Sequence, residues 1–518
     1  MANKSIFRSV PGSRVPATDT VNREGAPAYQ MKPYQALAQL AVTGTFNRTF
    51  YAGAGEQLDE VMDLAWQVQP DYLAKTAVYA FEQGRMKDMP ALLLAVLSAM
   101  EGDEFNRAFP RIVRNGKMLR TFVQMIRSGV TGRKSLGSRP KRLVQAWLET
   151  ASDEQLMRAA VGNSPSLADV IKMVHPKPKC RSREAFFGYL IGKPYEVGAL
   201  PEVVKAFEAF KRDRTLPVPD VPFQMLTALE LTKEHWVQIA QKAGWQMLRQ
   251  NLNTFARNGV YQVPGFTRMI ADRLRDRDTI RRAGVLPYQV MVACQYADQG
   301  VPYEVYDALQ EALEIALELV PKVEGRVVVC PDVSGSMQSP VTGYRQGATT
   351  AVRCVDVAAL VAAAMLRTNP DTVVLPFERT VVDVRLNPRD SVLTNAAKLA
   401  SVGGGGTNCS APLERLVEQR AQVDVVVFVS DNQSWLDAAR SRYQGTGMMG
   451  NWHKLKVLNP KAKLVCIDIQ PDTTSQAVER ADILNVGGFS DQVFTAIAQM
   501  VDGGSSKEWT RMINAVEL

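Results

Sequence analysis

The stretch Arg326-Val-Val-Val-Cys-Pro-Asp332-Val-Ser334-Gly-Ser336-Met337 decides how the chain is read. Its short continuous apolar run is the pattern of a strand buried on both faces of a parallel sheet, and it ends in Asp-x-Ser-x-Ser. One carboxylate and two hydroxyls are thereby delivered to the loop at the strand's C-terminal tip, where open α/β sheets place their ligand sites. Three oxygen donors suit a hard cation such as Mg²⁺ or Mn²⁺. Taken alone, the same triplet reads as an ordinary polar loop.

Two later stretches change that balance. Gly403-Gly-Gly-Gly-Thr407-Asn408 offers a hydroxyl on a backbone that tolerates close approach, and Asp424-Val-Val-Val-Phe-Val-Ser-Asp431 is a second apolar strand ending in a carboxylate. In this order the three stretches resemble the von Willebrand factor A domain and its metal-ion-dependent adhesion site (MIDAS). The resemblance maps Asp332, Ser334, Ser336, Thr407 and Asp431 onto the ligand positions of that site, with a divalent cation as cofactor. Asn408 stands where some relatives carry an acid, which lowers the negative charge near the ion without removing an expected ligand.

Length and composition bound the remainder. With 518 residues, 46% hydrophobic and 22% charged, the chain can bury large cores and divides into roughly two to four domains. No signal-peptide core opens it and no run of about eighteen apolar residues occurs, so a cytoplasmic protein without a membrane span is expected. The six cysteines are scattered without a Cys-x-x-Cys pair, which fits a reducing compartment, and three histidines make a zinc site improbable. Residues 1–322 carry 42 Lys and Arg against 33 Asp and Glu, whereas residues 323–518 carry 19 against 20. A polyanionic partner is therefore expected on the N-terminal part.

Residues 1–30, rich in Pro, Gly, Thr and Ser, read as an extended arm. From residue 31 to residue 322 helical segments follow one another with short breaks, among them Leu58–Val68, Tyr72–Gln83, Ala91–Met100, Leu143–Glu149, Val203–Phe210, Trp236–Ala243 and Tyr303–Leu319. Such a succession predicts an α-solenoid of HEAT-like pairs. Residues 323–518 then form a doubly wound A domain. Its further expected helices are Thr349–Arg367, Ser391–Ser401, Ala411–Arg420, Trp435–Tyr443 and Asp491–Met500, and its strands Asp371–Phe377, Thr380–Val384, Lys463–Ile469 and Ile483–Val486.

The informative part of the helical region lies between Glu104 and Glu149, where 44 residues contain no acid and eleven bases. Arg107, Arg111 and Arg114 fall at i, i+4 and i+7, so one intact helix would present them on one face. Lys117, Arg120, Arg127, Arg133, Lys134 and Arg139 extend the run, with Arg133, Lys134 and Arg139 on a Gly/Ser-rich loop where backbone amides also face an anion. A second cluster, Lys172-Met-Val-His175-Pro-Lys177, is broken by proline and projects outward. Either cluster is a solvated basic face or a phosphate-binding surface, and the absence of acid favours nucleic acid. Arg268–Arg282 is interleaved with Asp272, Asp276 and Asp278 at helical spacing and reads as internally paired.

Val21-Asn-Arg-Glu-Gly-Ala-Pro-Ala-Tyr29, Gly44-Thr-Phe-Asn-Arg-Thr-Phe-Tyr51, Ile171-Lys-Met-Val-His175-Pro-Lys-Pro178, Leu248-Arg-Gln-Asn-Leu252 and the Asp332 motif together resemble the TROVE family, over about residues 20–500. The resemblance implies a ring of HEAT-like helices closed by the A domain, with a segment near Tyr34–Phe50 meeting that domain. It implies small Y RNAs bound on the outer surface, at Lys172 and His175, and single-stranded 3′ ends of misfolded non-coding RNA in a basic central hole. An exoribonuclease such as polynucleotide phosphorylase is an implied partner in RNA quality control. Two other readings of the metal site stand beside this one: a metal-dependent nuclease, disfavoured because two-metal chemistry uses several shared carboxylates and only Asp332 and Asp431 are expected, and an adhesion module for a partner's carboxylate.

Overall fold

The structure, a computed structural model, describes residues 15–285, 287–318, 322–345, 352–436, 445–488, 493–494, 497 and 508–518. They fall into two compact units, one drawn from Met1–Val68, Gln83–Met86 and Leu317–Val516, the other from Gln69–Glu82, Lys87–Ala316 and Glu517–Leu518.

The first unit is built on the apolar runs. Strands are numbered β1 (Thr20–Val21), β2 (Pro27–Gln30), β3 (Val327–Pro331), β4 (Val373–Val374), β5 (Val425–Ser430), β6 (Lys463–Asp468), β7 (Thr474–Ser475) and β8 (Ile483–Gly487). β3, β5 and β8 are buried throughout, which is why they carry no polar alternation. Five strands pair in parallel in the order β4-β3-β5-β6-β8. From β3 the chain moves outward to β4 and then returns to the other side for β5, so the strand order reverses between β3 and β5. The register places Pro331 beside Val429 and Ser430 beside Asp468. Three carboxylates, Asp332, Asp431 and Asp468, therefore emerge at one edge of the sheet, two of them at the reversal point.

Three expected helices of this unit are found at Cys354–Thr368, Val392–Ala400 and Ala411–Glu418. Residues 349–351 of the first, 437–443 of the Trp435–Tyr443 helix and most of Asp491–Met500 lie outside the described residues. The expected strand Thr380–Val384 is not formed. The chain turns back after Pro376, with the Val382 N–H bonded to Pro376 O at 2.7 Å and Phe377 bridged to Val381, so the segment makes a tight local turn instead of extending the ladder.

Residues 15–68, although helical or extended by pattern, pack in this same unit. β1 and β2 form a hairpin that β7 continues into a three-stranded sheet, and the Pro33–Thr43 helix lies on β8. Further on, the Tyr344 N–H reaches Arg48 O at 2.7 Å and Thr45 Oγ1 reaches Thr342 O at 3.0 Å.

The second unit is helical, with no strand among its described residues. Its helices include Pro70–Glu82, Asp88–Leu97, Glu104–Ile112, Gly116–Arg127, Ser138–Thr150, Asp153–Ala159, Leu167–Val174 and Glu202–Arg212. Phe105, Phe109 and Phe122 interlock with ring centroids 5.4 to 5.8 Å apart, joining two successive helices in the manner of a repeat pair. One expectation is corrected here: the helix carrying Arg107 and Arg111 ends at Ile112, so Arg114 lies beyond it. The Asn115 side chain accepts the Met118 N–H and caps the next helix, which forces the break.

Candidate metal site and basic surfaces

β3 delivers Asp332 into a fully buried position, where the Asp332 N–H bonds Val429 O at 2.9 Å. The two carboxylate oxygens face different partners. Oδ1 accepts the Ser334 N–H at 2.9 Å and Oδ2 accepts the Ser430 hydroxyl at 2.6 Å. Ser334 Oγ and Ser336 Oγ stand 3.3 Å apart, both buried. The glycine loop is tied to this turn by its backbone, since Gly404 N–H bonds Val333 O and Gly335 N–H bonds Gly405 O, both at 2.8 Å. Gly403 adopts φ +86°, and a Cβ there would collide with Val333 O. Only glycine allows that approach, which brings buried Thr407 to the same edge.

Asp431 follows β5 and is also buried. Its Oδ1 accepts the Gln433 N–H at 3.4 Å, whereas Oδ2 has no hydrogen-bond partner. Burial raises the Asp332 carboxyl and pushes that of Asp431 up to about 7, where the neighbouring Asp332 adds to the effect. An orphaned carboxylate oxygen beside a second buried carboxylate and three hydroxyl residues is a site short of positive charge. A small hard cation would supply it, so the five residues fit the divalent ion implied by the sequence. Asn408 turns away from this edge: Oδ1 accepts from Ser410 N–H and Oγ, and Nδ2 donates to Arg379 O.

Three groups at this edge escaped the sequence reading. Glu378 accepts the Gly405 N–H at 2.6 Å and fastens the glycine loop. Tyr51 lies beside Ser336, and its ionisation is pushed up chiefly by burial and then by Asp431. Asp468 ends β6 as Asp332 and Asp431 end theirs; the apolar run Lys463-Leu-Val-Cys-Ile-Asp468 carried the same signal and could have been read in the same way.

The basic residues divide by what they touch. Arg111 and Arg114 both grip Glu82, at 2.6 and 2.5 Å, and Arg111 and Arg107 also bond the carbonyls of Glu517 and Leu518. The acid missing from the run is thus supplied by the last residue of the Pro70–Glu82 helix. Arg120 holds the carbonyls of Val161 and Pro165, and Arg133 the Ser98 hydroxyl. Arg139 collects four carbonyls, of Leu97, Ser98, Met100 and Gly102, at 2.7 to 3.3 Å, closing the C-terminal end of the Asp88–Leu97 helix. The side chains of Lys117, Arg127, Lys134, Lys172, His175 and Lys177 are exposed and make no ion pair or side-chain hydrogen bond among the described residues.

Lys172 lies in the last turn of Leu167–Val174, and His175 closes that helix in the left-handed region at φ 49°. The Gln145 amide on the Ser138–Thr150 helix bonds Val174 O at 2.6 Å and fixes this corner. The Asp169 carboxylate, held low first by Ser166, also feels Lys172 and Arg127, so the two clusters separated in sequence share one neighbourhood. In the Arg268–Arg282 stretch, Arg275 pairs with Asp272 at 2.5 Å and Asp276 caps a helix through Thr279, as the interleaved charges imply.

Residues 326–501 match the family of the Ro60 vWA domain. Over its length the chain is 27% identical to the RNA-binding protein RO60 of Deinococcus radiodurans, covering 96% of this chain and 99% of that protein. The crystal structure of the Deinococcus radiodurans RO (RSR) protein shares the fold, with a TM-score of 0.62 at 23% identity over 90% of this chain and 99% of the other.

Proposed function

We propose that the chain, which matches the Ro60 vWA domain over residues 326–501 and resembles the RNA-binding protein RO60 along its length, is an RNA-binding scaffold and not an enzyme. The observation that carries the reading is the exposed group of Arg127, Lys172, His175 and Lys177, whose donors are left free by a fold that engages Arg120, Arg133 and Arg139 with its own carbonyls and hydroxyls. Phosphate is the counter-charge such a surface takes. On this reading a small structured RNA of the Y type docks at Lys172 and His175. Single-stranded 3′ ends of misfolded non-coding RNA contact the Arg107, Arg111 and Arg114 group in the central hole implied by the resemblance, and an exoribonuclease is the protein partner. No described helix is long and apolar enough to cross a membrane.

Asp332, Ser334, Ser336, Thr407 and Asp431 would hold Mg²⁺ or Mn²⁺, which when bound supplies an open coordination position for a carboxylate oxygen. The chain's own residues would position that ion.

The test is direct. RNA recovered with the purified native protein should be enriched in small structured species, and affinity for them should fall steeply as salt rises, because neutralised phosphates release counterions. A flat salt dependence would overturn the reading.

A further inference from the structure

Behind the edge that carries Asp332 lies a small cavity of about 10 Å³, room for a single occupant of water size. Its walls come from β5, β6 and β8, the Pro33–Thr43 helix, and Cys409, Asn432 and Met448, and neither Asp332 nor Asp431 lines it. Four oxygen atoms of its lining residues have no hydrogen-bond partner: Oδ1 and Oδ2 of Asp468, Oδ1 of Asn485 and Oε1 of Gln39. The three side chains are only 3%, 5% and 1% exposed. All four atoms are acceptors.

The Asn485 amide cannot simply be turned round. Its Nδ2 donates to Ala477 O at 2.9 Å, so Oδ1 is the atom left over for the cavity. Gly487, the residue beside Asp468 in the register, has no side chain, and a Cβ there would come within 2.8 Å of Gln39 Oε1. The glycine thus leaves the helix's amide oxygen free to face the sheet. Asn432 and the backbone at Gln470 stand near enough to ease the burial of Asp468, yet no donor closes a hydrogen bond on either of its oxygens among the described residues.

One water brings two hydrogens to four acceptors and leaves a buried carboxylate uncompensated. A cation answers all four oxygens and the charge together. Mg²⁺ would keep several of its waters and Ca²⁺ takes six to eight oxygens, and the cavity has room for neither shell. We propose that this cavity is a second cation site, distinct from the Asp332 site, in which Asp468, Asn485 and Gln39 hold a dehydrated monovalent alkali cation. One carboxylate balances one positive charge, and the ion ties the Pro33–Thr43 helix to the sheet.

The test uses the full chain with Mg²⁺ saturating, and follows the unfolding midpoint at fixed ionic strength in NaCl, KCl and choline chloride. In the wild type the midpoint should rise with Na⁺ or K⁺ and saturate, relative to choline, while Asp468→Asn, whose amide can itself donate to the free oxygens, should show no difference among the three salts. Crystals grown with Tl⁺ should show an anomalous peak between Asp468, Asn485 and Gln39. Equal wild-type midpoints in all three salts mean that water alone fills the cavity and overturn the proposal, as does a cation effect that survives in Asp468→Asn. Should that variant fail to fold, Gln39→Leu reads the same comparison. It is expected to need at least about tenfold more cation for the same rise, and an unchanged response would equally refute the site.

Discussion

The Ser430 hydroxyl donates a 2.6 Å hydrogen bond to Oδ2 of Asp332, joining the ends of two neighbouring parallel strands that lie 98 positions apart in the chain. It points one carboxylate oxygen at β5 while the other accepts the Ser334 N–H, and so fixes the orientation of a side chain that would otherwise be free to rotate about its bonds. Groups of this kind tune metal affinity without touching the ion. Ser430→Ala should therefore weaken Mn²⁺ binding by roughly 10- to 100-fold, measured by titration calorimetry. Asp332→Ala should abolish it. In both variants RNA affinity should stay within a few-fold of wild type, since the proposed RNA-binding residues lie in the other unit; a folded Asp332→Ala protein that lost RNA binding would show that the interface has been misplaced.

Replacing Arg127 and Lys172 together by Ala should weaken a structured RNA and flatten the log–log salt dependence by about one to two units, roughly one for each phosphate no longer neutralised. Because phosphate recognition carries no sequence information, RNAs of different sequence should suffer alike.

Two surfaces predict two patterns of loss. Arg107, Arg111 and Arg114 replaced by Ala should weaken single-stranded 3′ ends more than a structured RNA, and Lys172 with His175 replaced should do the reverse. Binding curves for both RNAs with both variants decide the matter. Proportional losses would mean a single surface.

Arg139→Ala is expected to act on stability and not on RNA. It uncaps four carbonyls at the end of Asp88–Leu97 and removes a guanidinium stacked 5.2 Å over Phe105, a change of about 1 to 3 kcal/mol in the helical unit. Denaturant unfolding followed by circular dichroism should show the shift, while affinity per folded molecule should remain as in the wild type.

Glu479 supplies a pH test away from the metal site. Burial pushes its carboxyl from 4.5 to about 7, and the Gln35 amide donates to it at 2.5 Å. A folded-state value above the unfolded one means that the native state holds the proton more tightly. Stability from this group is thus fully present below about pH 4.5 and is lost as pH rises towards 7. Glu479→Gln should stabilise the protein at pH 8, by about 1 to 2 kcal/mol after allowing for partial exposure, and should remove the corresponding slope between pH 5 and pH 7. An unchanged slope would locate the titration elsewhere.

Several features are local in origin, and the chain alone determines them. Apolar runs ending in Asp332 and Asp431, four consecutive glycines before Thr407, and apolar positions at helical spacing each need only their own neighbours to specify a strand tip, a close-approach loop or an amphipathic helix. What the chain alone left undecided is pairing across long separations. Whether an arginine of the acid-free run meets RNA or protein depends on Glu82, Ser98 and the carbonyls of Val161 and Pro165, none of which local spacing identifies. Asp468 had the same strand-end signal as its neighbours, but that it faces Gln39 and Asn485 across a cavity follows from the β6–β8 register and from a helix more than four hundred residues away in the chain. Periodicity fixes which face of an element is buried; only packing in three dimensions determines what that face meets, because burial energy is non-directional while hydrogen bonds and charges are satisfied atom by atom.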